Sequence, residues 1–143
     1  MPAAAGDLVL LLLREVHPLQ GGRVVWILGH STVVQLVDRA QEQRYRFELD
    51  PAELRGLNRV VSEHDFLHLT IVGDMGKPDE VRPEIFVRLG SGQERSVAKK
   101  QSEYCPGFDL LRDRLVQIAE RAVKFEREFA GPYDFTWVPP DWK

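Results

Sequence analysis

The spacing of apolar positions changes period along the chain, and each change predicts an element. An unbroken apolar run at 8–13 (LVLLLL) sits inside a segment, 7–16, that reads as a strand buried on both faces. Pro18 and the Gly21-Gly22 pair predict a turn over 17–22. Two segments rich in Val, Ile and Trp follow at 23–28 and 32–37, and Gly29-His30-Ser31 between them predicts a hairpin. The polar stretch 39–43 reads as another turn. Residues 44–49 (RYRFEL) alternate strictly, which places Tyr45, Phe47 and Leu49 on one face of a half-buried strand.

The period then switches to helical. Asp50 suits an N-cap, Pro51 the first helical position, and Glu53 stands three residues after the cap, a capping-box arrangement with Asp in place of Ser or Thr. Leu49 and Leu54 occupy the positions of a hydrophobic staple. This helix is expected to run to about residue 64, burying Leu54, Leu57, Val60 and Val61, with Gly56 weakening it by roughly 1 kcal/mol relative to Ala. Residues 66–72 (FLHLTIV) read as a strand and 73–82 as a loop. Segments 84–89 and 93–99 read as a hairpin about Gly90-Ser91-Gly92. Pro106 opens a second, long helix. Along it Phe108, Leu111, Leu115, Ile118, Ala122, Phe125 and Phe129 recur at spacings of three and four, and Gly131-Pro132 stops it. The tail, 131–143, is aromatic, proline-rich and not helical, and residues 1–6 (MPAAAG) read as loosely held.

Strands, helix, strands, helix, with hairpin connections, predict an α+β fold. The expectation is a two-layer domain spanning 1–143, with a mostly antiparallel sheet of about five to seven strands and two helices on one face. The 143 residues suit one domain of ordinary size, and 43% apolar with 29% charged residues is a globular composition. A formal charge of -3 offers no general attraction to nucleic acid or to an anionic membrane. The apolar run at 8–13 is too short to span a bilayer, and it has no basic residue before it and no small-residue cleavage site after it. With Cys105 as the sole cysteine the fold cannot rest on an intrachain disulfide, so a cytoplasmic location is expected.

Catalytic and metal chemistry finds little footing. His64 and His68 have HxxxH spacing, but a helix is expected to end between them, and no cysteine pair stands ready to complete a site. Asp74, Asp79 and Glu80 lack the ligand spacing of a calcium loop. The segment 73–77 lacks the spacer of a phosphate loop, with Pro78 where Ser or Thr belongs. Cys105 lies at a helix start, where a thiol can be activated, but packing or capping is the plainer role. Ser31, in GHSTV, departs from a nucleophile elbow at Val33. Arg88, Arg95, Lys99 and Lys100 form a basic cluster too small for a nucleic-acid surface, and they suit a solvated edge strand instead. No metal, no cofactor and no enzymatic activity are expected.

Two features favour protein binding. The stripe on the long helix follows a heptad over three repeats; packing on the sheet is its plainer role, but where the helix overhangs a small sheet Phe125 and Phe129 would meet a partner or a second copy. In the tail, Tyr133, Phe135, Trp137 and Trp142 are residues that anchor interfaces or, equally, fold back onto their own domain. Gly21-Gly22 after the opening strand, the LDPAEL helix start, the FLHL segment, the Pro78-Asp79 step and Pro106 together resemble the emfourin-like family of small bacterial proteins, over roughly residues 8–120. The family's founding member inhibits a thermolysin-type metalloprotease. The resemblance implies a non-enzymatic, protein-binding α+β domain, and the aromatic tail and longer last helix depart from it. The expected function is therefore a protein-interaction domain, an inhibitor or a subunit of a bacterial assembly. The alternatives are a homodimer formed through the long helix, or a small enzyme built around His30, His64, His68 or Cys105.

Overall fold

The computed structural model describes residues 7–17, 20–29, 31–69, 83–99, 103, 105–140 and 142. A meander of four strands, β1 (Leu8–His17), β2 (Gly21–Leu28), β3 (Ser31–Asp38) and β4 (Gln41–Glu48), leads into helix α1 (Pro51–Glu63). A short 3-10 turn (Phe66–His68), the hairpin β5 (Glu84–Leu89) and β6 (Glu94–Ala98), and helix α2 (Pro106–Arg121) follow. A second 3-10 turn (Ala122–Lys124) leads to a last strand, β7 (Arg127–Pro132). The strands form one open antiparallel sheet in the order β6-β5-β1-β2-β3-β4-β7.

The turns explain the register. Gly21 and Gly22 have φ of 97° and 152°. A Cβ on Gly21 would stand 2.1 Å from the Val37 carbonyl oxygen, and one on Gly22 1.9 Å from that of Glu15. The start of β2 thus fits between its neighbours only as bare backbone. Between β3 and β4 the turn is just Arg39 and Ala40, both left-handed at φ 50° and 68°, which matches the twist of a tight hairpin. Strand β4 therefore begins at Gln41, and the polar residues 41–43, expected in a turn, lie within the sheet.

Both helices pack on one face. Leu11, Leu13, Val25, Ile27, Val34, Tyr45 and Phe47 point from the sheet into a core completed by Leu57, Val60 and Val61 of α1 and by Phe108, Leu111, Leu115 and Ile118 of α2. This is the α+β, two-helix arrangement expected, and Leu10–Leu13 are buried as the apolar run implied. The Asp50 carboxylate caps α1 by accepting from the Ala52 N–H at 2.9 Å. Glu53 does not close a capping box; it bonds Arg121 at the far end of α2 and ties the helices together.

Two further expectations fail. The apolar segment after α1 is not a strand where it is described: Asp65 turns left-handed (φ 48°), and Phe66–His68 form a 3-10 turn that buries Phe66. Residues 70–72, the loop 73–82 and residues 1–6 lie outside the described residues. The last helix ends at Arg121 rather than near Gly131. Phe125 and Phe129 are therefore not helical, and the segment through Gly131-Pro132 is strand β7. Among the described residues, no helix is long and apolar enough to cross a membrane.

Candidate interaction surface

The sheet face turned away from the helices carries a second, smaller core. Leu12, Val24, Trp26 and Val33 are buried there, with Val16, Leu28 and Phe86 partly buried around them. The C-terminal segment covers it. After the second 3-10 turn the chain reverses, Phe125 stacks on Phe47 (centroids 4.5 Å apart, planes 3° apart), and β7 pairs with β4. The Tyr133 N–H then donates to the Ala40 carbonyl oxygen (2.9 Å), and the chain crosses the sheet.

A buried polar chain fixes this crossing. The Trp26 indole N–H donates to Gln35 Oε1 (3.0 Å), and the Gln35 amide donates to both Glu42 oxygens (3.2 and 3.3 Å). The Arg44 guanidinium donates to Glu42 Oε1 (3.0 Å), and the Asp134 N–H donates to Oε2 (2.9 Å). Glu42 is only 1% exposed, so its carboxylate depends on these four donated bonds. One step on, the Asp134 carboxylate accepts from the Thr136 hydroxyl (2.6 Å) and N–H (2.9 Å). The Thr136 hydroxyl, then its N–H, hold that carboxyl below the usual range for aspartate. Desolvation raises the Tyr133 phenol above its usual value.

Beyond Asp134 the contact is made by rings. Trp137 meets Trp26 edge-to-face at 6.2 Å, and Trp142 meets Trp26 at 4.9 Å and Phe86 at 5.6 Å. Edge-to-face geometry sets a positive ring edge against a negative face, worth about 0.5–1.5 kcal/mol per pair beyond burial. The Arg44 guanidinium lies 3.7 Å from the Trp137 ring and 4.4 Å from the Phe129 ring, so one cation links the polar chain, β7 and the tail.

The six aromatic residues singled out from the sequence thus divide. Tyr133, Trp137 and Trp142 are half-buried and serve this docking. Phe125 (46% exposed), Phe129 (40%) and Phe135 (75%) remain at the surface, with Val138 beside Trp137 in the sequence. Phe125 packs on the helix-side residue Phe47, whereas Phe129 stands opposite Arg44 on the tail side. The exposed rings therefore wrap both sides of the β7 edge. Sequence reasoning missed Trp26, Gln35, Glu42 and Arg44. Their one signal was a Gln and a Glu in strand-compatible segments at positions that alternate with core residues.

The other candidate residues are committed elsewhere. His64 caps the end of α1 and packs on Gly107, where an added Cβ would come 2.8 Å from the His64 Cβ. His68 Nδ1 pairs with Asp65 at 2.9 Å, so HxxxH spans a helix end and a turn. Cys105 is buried before α2 without capping it by its side chain. Ser31 Oγ accepts from Arg46 (3.0 Å). Arg88 pairs with Glu94, Arg95 donates to the Leu69 carbonyl (2.6 Å), and Lys99, only 3% exposed, pairs with Asp109 (3.0 Å); β6 is an edge strand as expected, but Lys99 beyond it is buried rather than solvated. His30, Asp74, Asp79, Glu80 and Lys100 lie outside the described residues. Among the described residues no three His, Cys, Asp or Glu side chains converge as a metal site. A cleft of about 310 Å³ opens beside α2, lined by Glu15, Lys99, Asp109, Arg112 and Asp113. Its charges pair internally: the hydrogen bond from Arg112 to Glu15 holds the guanidinium above its usual value, against desolvation.

Comparison of the chain with protein-family models, curated proteins and solved structures found no match.

Proposed function

We propose that this chain is a non-catalytic protein-interaction domain of the cytoplasm whose contact surface is the β7 edge. The observation that carries the reading is the set of exposed rings at the β7 edge: Phe129 on the strand beneath Arg44, Phe125 just before it stacked on Phe47, and Phe135 just after it. Rigid exposed aromatics lose little conformational freedom on contact, which is why they dominate interface energetics. The non-catalytic part rests on the commitment of His64, His68 and Cys105 to packing and pairing. The cytoplasmic part rests on the single cysteine.

The form of interaction favoured is inhibition of, or assembly with, another protein; the emfourin-like resemblance does not establish a protease target, but it makes a thermolysin-type metalloprotease the first protein to test. The last-helix route to a homodimer is less favoured, because Phe108, Leu111, Leu115 and Ile118 of its stripe are buried in the chain's own core. The test pairs the wild-type chain with a Phe129→Asp/Phe135→Asp variant. Each is titrated against a thermolysin-type metalloprotease and used to capture partners from native lysate. The reading expects stoichiometric inhibition, or a stoichiometric captured partner, with affinity at least about 10-fold weaker for the variant, the loss of one hot-spot side chain. Equal behaviour of both chains, or no effect and no partner for either, contradicts it.

A further inference from the structure

We propose that the groove around Trp26 is a docking site for the tail of a second copy of this chain, so that residues 135–142 exchange between copies. This goes beyond the β7-edge reading and does not depend on it. The occupant is defined by the structure itself, since Trp137 and Trp142 are seated there by the chain's own tail.

The seat is specific but weakly tethered. Among the described residues the last hydrogen bond from tail to sheet is Asp134 N–H to Glu42. The bonds of the following residues are local: Thr136 to Asp134, Trp137 N–H to the Asp134 carbonyl, and Trp142 N–H to the Pro139 carbonyl. Among the described residues the segment is otherwise held by packing on the Leu12, Val24, Trp26 and Val33 cluster, by ring contacts with Trp26 and Phe86 and by Arg44, so it can leave as one unit by rotation at Asp134–Thr136 without breaking a strand. Exposing Leu12, Val24, Trp26 and Val33 to water is costly, so the vacated groove refills. The same rings supplied by another copy satisfy it equally, which is the condition for exchange of an identical element.

In the closed monomer the tail competes at an effective concentration on the order of millimolar, so exchange is read with variants. A Trp137→Ala/Trp142→Ala full-length chain vacates the groove, and a synthetic peptide of residues 133–143 stands for the second copy's tail. The variant is expected to bind this peptide at least about 100-fold more tightly than the wild-type chain does. A control peptide with Ala at 137 and 142 is expected not to bind. A folded variant that ignores the peptide, or binds both peptides alike, overturns the proposal. Should the variant not fold, a chain with Phe135 and Thr136 deleted keeps every ring of the groove and both docked tail rings, Trp137 and Trp142, but is too short to close on itself. It is expected to run at twice the 16.4 kDa monomer mass, and a monomer overturns the proposal. Neither experiment contains a third protein, so failure here leaves the β7-edge reading untouched.

Discussion

Under the helices the sheet presents Leu, Ile, Val and aromatic side chains to two elements that bring matching stripes of their own. Under the tail it presents Leu12, Val24, Trp26 and Val33 to a few rings, and beside them a chain of Gln35, Glu42 and Arg44. The first face is closed by burial of area, the second by a small set of directional contacts around one buried carboxylate. Non-directional burial tolerates imperfection at any single position, whereas a polar chain fails when any member is lost. The helix face is therefore expected to set most of the stability, and the tail face to set where the last residues go.

Substitutions can break or sharpen that contrast. The largest effect is expected at the glycines both faces share. Gly22→Ala would force a Cβ to 1.9 Å from the Glu15 carbonyl oxygen, so a loss above about 4 kcal/mol is expected, in the severest class of single substitutions, measurable by chemical denaturation. Next is Leu115→Ala, a fully buried position on the helix face, with an expected loss of about 3–4 kcal/mol by the same assay. Removing the carboxylate with Glu42→Ala leaves Arg44, Gln35 and the Asp134 N–H without their acceptor. The expected loss is about 3 kcal/mol, with altered chemical shifts confined to β3, β4 and the tail. Trp142→Ala, on a half-buried ring, is expected to cost only about 1–2 kcal/mol, and a cost equal to that of Leu115→Ala would erase the distinction between the faces. The smallest change carries the opposite sign. Thr32 Oγ1 is buried on the helix face with no hydrogen-bond partner among the described residues. Thr32→Val is expected to raise stability by about 1 kcal/mol, seen as a higher thermal midpoint.

The same contrast explains what the sequence disclosed. The helix face was legible because its signals are local: alternation at Tyr45, Phe47 and Leu49, the Asp50-Pro51 start, and the stripe from Phe108 to Ile118. The tail face was not, because its signals are ambiguous or distant. Phe125 and Phe129 are four apart, a spacing that fits one helical turn, yet the helix ends at Arg121, Phe125 precedes β7 on the helix side, and Phe129 lies in β7 on the tail side, paired with the edge of β4. Gln41, Glu42 and Gln43 read as a turn because they are polar, yet Glu42 is buried by partners at positions 35, 44 and 134. Of the candidate surface, the sequence marked aromatic residues without separating those that dock, Trp137 and Trp142, from those left exposed, Phe129 and Phe135.

The docked tail is tested most directly by proton–proton NOEs from the Trp142 ring in dilute solution. Centroid distances of 4.9 Å to Trp26 and 5.6 Å to Phe86 place ring protons within reach, so cross-peaks to both rings are expected. A Trp142 ring that shows only sequential NOEs, with the Trp26 indole N–H exchanging as fast as an exposed one, would contradict the two-sided sheet.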